Sequence, residues 1–322
     1  MTPRLHDALV KSAFESPEDA AALLRELVPP AVRAMIAWET MQGERGSFVD
    51  ARLADQHSDL VFSAGLGTDP SAVVYFVLEH QSTRAPRMPL RMLSYQVRIW
   101  RRFVKEHRAA WLPPVVGVLI SHKPGGWTDA RTFEALFDPA VLARAGLAAL
   151  VPRCAMIVED LMQRSNDDLA AWSLGAFQKL ALWLLRDARD PARLLDSFDF
   201  WISSMLEVVR SRAGLDRINV LILYMFQVIG PMHLEILRAK LRTLGSHTEE
   251  LSMTIAEHFQ EQGRQEGRRE GRIATLRSLL VFKFQSLGAA DEARLQAASP
   301  EMIDRYLQRL LTADSLAAVF DS

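Results

Sequence analysis

The stretch Ala72 to Gln81, AVVYFVLEHQ, decides how the rest of the chain is read. Seven apolar residues, rich in β-branched and aromatic side chains, run without a polar break and then give way to Glu-His-Gln. A strand with one wet face would alternate. This run does not, so it reads as a central strand buried on both faces. A carboxylate at the end of such a strand is costly unless something offsets its desolvation. Side chains alternate across a strand, so Glu79 and Gln81 point one way and His80 the other.

Upstream, Asp59 to Ala64 (DLVFSA) reads as a short strand. Gly65, Gly67, Asp69 and Pro70 form the turn that makes a hairpin of the two runs. Ser47 to Leu53 reads as a further strand or extended arm. Leu5 to Leu27 carries apolar residues at helical spacing. Within it, Ser16 followed by Pro17, Glu18 and Asp19 starts a second helix, because the serine can cap it and the acids suit its positive end. Pro29 and Pro30 stop that helix. Downstream of Pro86 and Pro89, Leu90, Leu93, Val97, Trp100 and Val104 mark an amphipathic helix. Val115 to Ile120 (VVGVLI) and Cys154 to Val158 (CAMIV) complete the strands.

From Asp167 the pattern is helical: Asp168 to Arg186, Leu194 to Arg212 and Arg217 to Leu241. EQGR, QEGR and REGR then run in tandem from Glu261 to Arg272. Charges surround every glycine, which predicts a solvated hinge or a fraying helix. Ile273 to Phe320 has its own helical pattern, with Leu276, Leu279, Leu280 and Phe284. The fold class expected is α/β, a mixed-sheet core with flanking helices followed by a mainly α-helical C-terminal half.

Composition bounds the answer. With 322 residues, 49% hydrophobic and 24% charged, the chain is one large domain or two moderate ones and not a disordered or fibrous protein. The single cysteine, Cys154, forms no internal disulfide. The N-terminus lacks the apolar run of a signal peptide, so a cytoplasmic protein is expected. The most hydrophobic window, Ile218 to Ile229, is too short to span a bilayer, and no membrane partner is expected. A net charge of −1 does not advertise nucleic acid, so local charge must carry that argument.

Local charge does carry it. Asp59, on the strand neighbouring Glu79 and Gln81, can lie beside them. Two carboxylates and an amide at one sheet edge are suited to a hard divalent cation, which prefers oxygen ligands. Arg84 to Arg108 contains eight Arg or Lys and one acid, Glu106. Arg91, Arg98, Arg102 and Lys105 share one face of that helix, and the apolar positions occupy another. An acidic cation site beside a basic helix is what phosphodiester cleavage requires. The plain alternatives are a turn residue for Asp59, an ion pair of Glu79 with Arg84 or Arg91, packing for His80, Tyr95 and Trp100, and a solvated face for the stripe. Glu39 is a further acidic candidate. No phosphate-loop, dinucleotide-binding, nucleophile-elbow or zinc pattern is present.

The paired D…E-x-Q, inside helix–strand–strand–strand–helix–strand, resembles the PD-(D/E)XK nuclease superfamily. The finer resemblance is to the recombination-promoting nuclease family, also described as transposase-like. It is carried by HDALVKSAF (His6 to Phe14), GSFVD (Gly46 to Asp50), SDLVFS (Ser58 to Ser63), VLEHQS (Val77 to Ser82), the R-x-x-x-Y pair Arg91 and Tyr95, and LPPVVGVLISH (Leu112 to His122). The resemblance implies a restriction-endonuclease-like core over 1–165, a helical region packed on it over 166–250, a charged hinge or helix over 251–272 and a helical module over 273–322. It implies that Asp59 and Glu79 hold Mg²⁺, with Mn²⁺ or Ca²⁺ as substitutes, and that Gln81 stands where lysine is usual. Serine, not proline, precedes Asp59. His6, Asp7 and Lys11 match the first motif, and the alternative for them is a helix-start role. The function implied is metal-dependent DNA endonuclease activity linked to recombination or transposition. The alternative is a weak or inactive nuclease-like protein that binds DNA or another protein. DNA is the expected partner, together with a homo-oligomer built through the C-terminal helices.

Overall fold

The computed structural model describes residues 3–44, 60–67, 69–107, 111–144, 146–211, 213–229, 233–242, 271–285, 287–310, 313 and 315–320. The chain divides into two units, Met1–Glu249 and Glu250–Ser322.

The first unit is built on a five-stranded mixed sheet in the order β1-β2-β3-β4-β5. Strand β3 (Asp69–Gln81) is its centre and its longest member. It pairs antiparallel with β2 (Leu60–Leu66), Leu60 opposite Leu78, and parallel with β4 (Val115–Ser121), Glu79 opposite Leu119. Strand β5 (Ile157–Asp160) runs parallel to β4. Burial on both faces is what the unbroken apolar run demanded: Phe76, Val77 and Leu78 are all buried.

The first strand differs from the sequence reading. Strand β1 is Ile36–Gly43, antiparallel to β2. The arm expected over Ser47 to Leu53 lies outside the described residues. The alternation in β1 holds only for Ile36 and Trp38, because the register shifts between Ala37 and Gln42. At that shift Thr40 Oγ1 donates to the Ala37 carbonyl at 2.6 Å and accepts from the Gly65 N–H at 2.8 Å. Glu39 sits in this irregular segment, exposed.

Helix α1 (Pro3–Phe14) and helix α2 (Pro17–Leu27) precede the sheet, with the short α3 (Pro30–Arg33) leading into β1. Ser16 caps α2 as expected, its hydroxyl accepting from the Asp19 N–H. Helix α4 (Met88–Glu106) joins β3 to β4 and packs on one face of the sheet. Its buried side is Met88, Met92, Tyr95 and Ile99, set against Val61, Val77 and Leu119. The apolar positions read from sequence fall elsewhere. Leu90, Val97 and Val104 are exposed, while Leu93 and Trp100 are half-buried. The helix is rotated so that Arg91 meets Glu79, and that rotation carries the methionines, not the leucines, onto the sheet.

Met92 lies over Gly117 of β4. A Cβ at position 117 would stand 2.5 Å from both Met92 Cγ and Sδ. Gly117→Ala therefore forces the Met92 side chain to move, and a loss of about 1–3 kcal/mol is expected by urea denaturation. An unchanged midpoint would contradict this close packing.

Beyond β4 come the short α5 (Pro139–Leu142) and β5. Five helices follow: α6 (Asn166–Ala171), α7 (Ala176–Asp187), α8 (Pro191–Arg210), α9 (Gly214–Ile229) and α10 (Leu234–Arg242). The single helix expected over Asp168 to Arg186 is thus two. A capping box of Ser165 and Asp168 starts the first, and Gly175 caps the second. The helix expected over Arg217 to Leu241 is also interrupted, since α9 ends at Ile229. Trp183, Phe198 and Trp201 pack together in the core of this region, and all three are buried.

In the second unit a helix over 271–284, here α11, is followed by α12 (Ala289–Ala297), α13 (Pro300–Leu310) and α14 (Leu316–Phe320). Leu276, Leu280, Leu295, Ile303 and Val319 form its core, whereas Leu279 is exposed. The repeat residues 261–270 lie outside the described residues. Among the described residues, no helix is long and apolar enough to cross a membrane.

Candidate functional site

Strand β3 ends where its polar residues begin. Glu79 and Gln81 face α4, as the alternation required, and one side chain of that helix meets both. Arg91 Nη2 donates to Glu79 Oε1 at 2.5 Å and to Gln81 Oε1 at 2.7 Å. Glu79 is 2% exposed, so its charge is compensated by an adjacent guanidinium rather than by water. Gln81 is held at its other end, its Nε2 donating to Thr83 Oγ1 at 3.3 Å. The two oxygens therefore converge on a single point. Hard oxygen donors so arranged fit a small divalent cation in donor type. Among the described residues, no group of three or more His, Cys, Asp or Glu is placed to hold a metal. Asp59 lies outside the described residues. Strand β2 enters the sheet at Leu60 opposite Leu78, one step before Glu79.

A cavity of about 380 Å³ opens beside this point, lined among others by Gln81, Arg84, Arg87, Met88 and Arg91. Asp129 shapes the turn around it. It accepts from the Ala85 N–H at 2.9 Å and from Arg84 Nε at 3.2 Å. Arg84 and Arg87 were part of the basic run in the sequence but had no motif to mark them as facing the site. The rest of the basic stripe stands further off. Arg98 is half-buried two turns along α4, roughly 10 Å from Arg91 along the axis. Arg102 pairs with Glu106 at 2.8 Å, which raises its already high pKa, and Lys105 is exposed. Tyr95 is buried against the sheet.

The residues of the first motif are on the other face. Asp7 lies 3.2 Å from His80 Nε2, and His80 stacks on His122. His6 is 1% exposed and edge-on to His122. Its Nε2 is 2.9 Å from Arg189 Nη2, and its Nδ1 is 2.7 Å from the Tyr224 hydroxyl. A guanidinium only donates, so Nε2 accepts and Nδ1–H donates to Tyr224. Burial, reinforced by Arg189, lowers the His6 pKa to about 4. Burial, then His6, His80 and Arg189, puts that of His122 well below the usual value. Within this cluster His6 and His122 are held as neutral imidazoles. Arg189 also donates to the Ser82 carbonyl at 2.7 Å, which ties the junction of α7 and α8 to the residue just past Gln81. Lys11 takes no part in it; it is exposed and pairs with Glu15. The structure thus brings Glu79, Gln81 and Arg91 together, and gathers His6, Asp7 and His80 behind them. His122, Arg189 and Tyr224 complete the second group; His122 closes the LPPVVGVLISH stretch, whereas nothing local in the sequence marked Arg189 and Tyr224.

The recombination-promoting nuclease RpnD of Escherichia coli O157:H7 is 30% identical over 146 residues, 42% of this chain and 56% of that protein. The recombination-promoting nuclease RpnA of Escherichia coli K12 is 30% identical over 117 residues, 36% of this chain and 39% of that protein. The chain therefore spans between about two fifths and somewhat over half of those two relatives. The inactive recombination-promoting nuclease-like protein RpnE of the same strain is 25% identical over 261 residues, 81% of this chain and 83% of its own. No solved structure matches significantly. The profile of the family described as "Putative transposase, YhgA-like" matches residues 4–210, and the chain belongs to that family.

Proposed function

We propose that this protein is a nuclease that hydrolyses phosphodiester bonds in DNA and acts in recombination. The observation that carries the reading is the convergence of the Glu79 and Gln81 oxygens on one point at the end of a buried strand. The names of RpnD and RpnA support it. In this reading the mixed sheet and its helices form a restriction-endonuclease-like core. Glu79 and Asp59 are the carboxylates that would hold Mg²⁺, or Mn²⁺ in its place. When bound, such a cation supplies Lewis-acid activation of a water and neutralises charge on the phosphate.

The chain's own residues do the rest. The Gln81 carboxamide orients the attacking water by hydrogen bonding. Arg84 and Arg87 hold the strand through its phosphates at the cavity. The water oxygen adds to phosphorus and its proton passes to solvent. The bond to the leaving sugar oxygen breaks, and that oxygen takes up a proton. Catalysis of this kind is positioning and charge stabilisation.

A second reading is a nuclease-like protein that binds DNA without cutting it. It is favoured by the name of RpnE, the relative that matches across four fifths of this chain. Nicking of supercoiled plasmid separates the two. Wild type with Mg²⁺ is expected to nick. Glu79→Gln and Asp59→Asn are expected to lose about 100-fold or more of the rate, the range seen when one stabilising group of an active site is removed. Retardation of duplex by wild type with no nicking in Mg²⁺ or Mn²⁺ would give the site to the second reading.

A further inference from the structure

Helix α4 carries two apolar stripes, and the sheet uses one of them. Met88, Met92, Tyr95 and Ile99 meet the strands. Leu90, Leu93, Val97, Trp100 and Val104 make up the other. At 3.6 residues per turn, this second stripe stands roughly 140° from the first and about as far from Arg91, Arg98, Arg102 and Lys105. It therefore faces away from the sheet and away from the basic stripe. Leu90 is 45% exposed, Val97 40% and Val104 57%. The surface continues past the helix. Trp100 Nε1 donates to the Pro113 carbonyl at 2.8 Å, which holds that segment alongside, and Trp111 and Leu112 just before it are exposed. Large apolar side chains gathered in this way mark a place where another surface docks.

The spacing narrows what docks. The five residues lie 3, 4, 3 and 4 positions apart, the a and d positions of two heptads. Such a seam fits a second helix along its length. The flanking e and g positions within α4 are Pro89, Ser94, Gln96, Arg101 and Phe103, with one charge among them. Charges at those positions select a different partner helix, and an almost neutral row leaves the seam able to pair with itself. Direction follows from charge as well. Of the five cations between Met88 and Glu106, four lie at Arg98 or beyond. Antiparallel pairing sets that cationic half beside the nearly neutral half of the other copy and opposes the two helix dipoles.

We propose that the outer stripe of α4 is the interface of an antiparallel homodimer, in which the seams of two copies pack together about a two-fold axis. That axis runs perpendicular to both helices, so each copy keeps its basic stripe on the same side of the pair. Parallel pairing would turn the two stripes to opposite sides.

Sedimentation equilibrium of the full chain without DNA tests this, and the outcome is independent of whether the protein nicks. Wild type is expected at twice the chain mass. Val97→Glu places a carboxylate in the middle of each seam and is expected to weaken association about 100-fold or more, because like charges then meet in a desolvated contact. The fold is expected to persist, since Val97 is exposed in the single chain and glutamate suits a helix. Should that variant fail to fold, Val104→Gln at the more exposed end is expected to weaken association about tenfold. Nitroxide labels on Ser94→Cys or Lys105→Cys, each with Cys154→Ser, read the direction. The Lys105 labels are expected to stand roughly 15 Å farther apart along the helix than the Ser94 labels. Equal separations overturn the antiparallel arrangement. A wild type that stays monomeric at about 100 μM, where even a weak dimer assembles, overturns the proposal. So does a folded Val97→Glu that remains dimeric. A monomer that binds anionic vesicles and loses them in Val97→Glu assigns the stripe to a lipid surface instead.

Discussion

Asp187→Ala is expected to cost about 3–5 kcal/mol of stability, because it leaves a buried guanidinium without its carboxylate. Asp187 is completely buried at the end of α7. Arg186 meets it through Nε at 2.7 Å and Nη2 at 2.6 Å, and Arg193 Nε lies 2.8 Å from Oδ1. Ser197 donates to Oδ2 at 3.2 Å. Arg186 is itself 4% exposed and reaches on to the Arg164 carbonyl and to Asn166. Removing the acid strands Arg186 among groups that only partly replace it. Arg189, two residues on, bonds the Ser82 carbonyl, so the same change loosens the end of β3. Urea denaturation by circular dichroism measures the loss. A variant within 1 kcal/mol of wild type would show that this network contributes little, the limit usual for exposed pairs.

Acid is expected to weaken the first unit well above the range in which carboxylates titrate. The unfolded chain protonates His6 near 6.5, whereas the folded protein resists until about 4. The unfolded state therefore binds more protons between those values, and stability falls as pH is lowered through them. The contribution is fully present above 6.5 and is lost by about pH 4. Its size is on the order of 3 kcal/mol for His6. His122 shifts in the same direction and adds to it. Urea midpoints at pH 7.5, 5.5 and 4.5 test this. A steady decline is expected in wild type and a shallower one in His6→Gln. Identical slopes for the two proteins would remove His6 from the account.

The features legible in the sequence were those fixed by neighbours along the chain. The buried run of β3, the hairpin with β2, the Ser16 cap and the common direction of Glu79 and Gln81 depend on residues a few positions apart, and local pattern suffices for them. Strand β1 was not legible, because its alternation breaks at Thr40, where a side chain takes over the pairing. The rotation of α4 was not legible either. Two apolar stripes compete on that helix, and the contact between Arg91 and Glu79 decides between them. The meeting of His6 with Tyr224 and Arg189 joins residues 218 and 183 positions apart. Only the packing of the helices on the sheet brings them together.

The interruption in β1 has a bearing on how this protein meets other chains. An outermost strand with a regular row of free donors and acceptors invites another strand to add to it. Here Thr40 turns its hydroxyl onto the Ala37 carbonyl and the Gly65 amide, and the ladder breaks its step. Among the described residues β1 bounds the sheet on this side, and a strand that added to it would meet a backbone that changes step near Thr40, not a regular row.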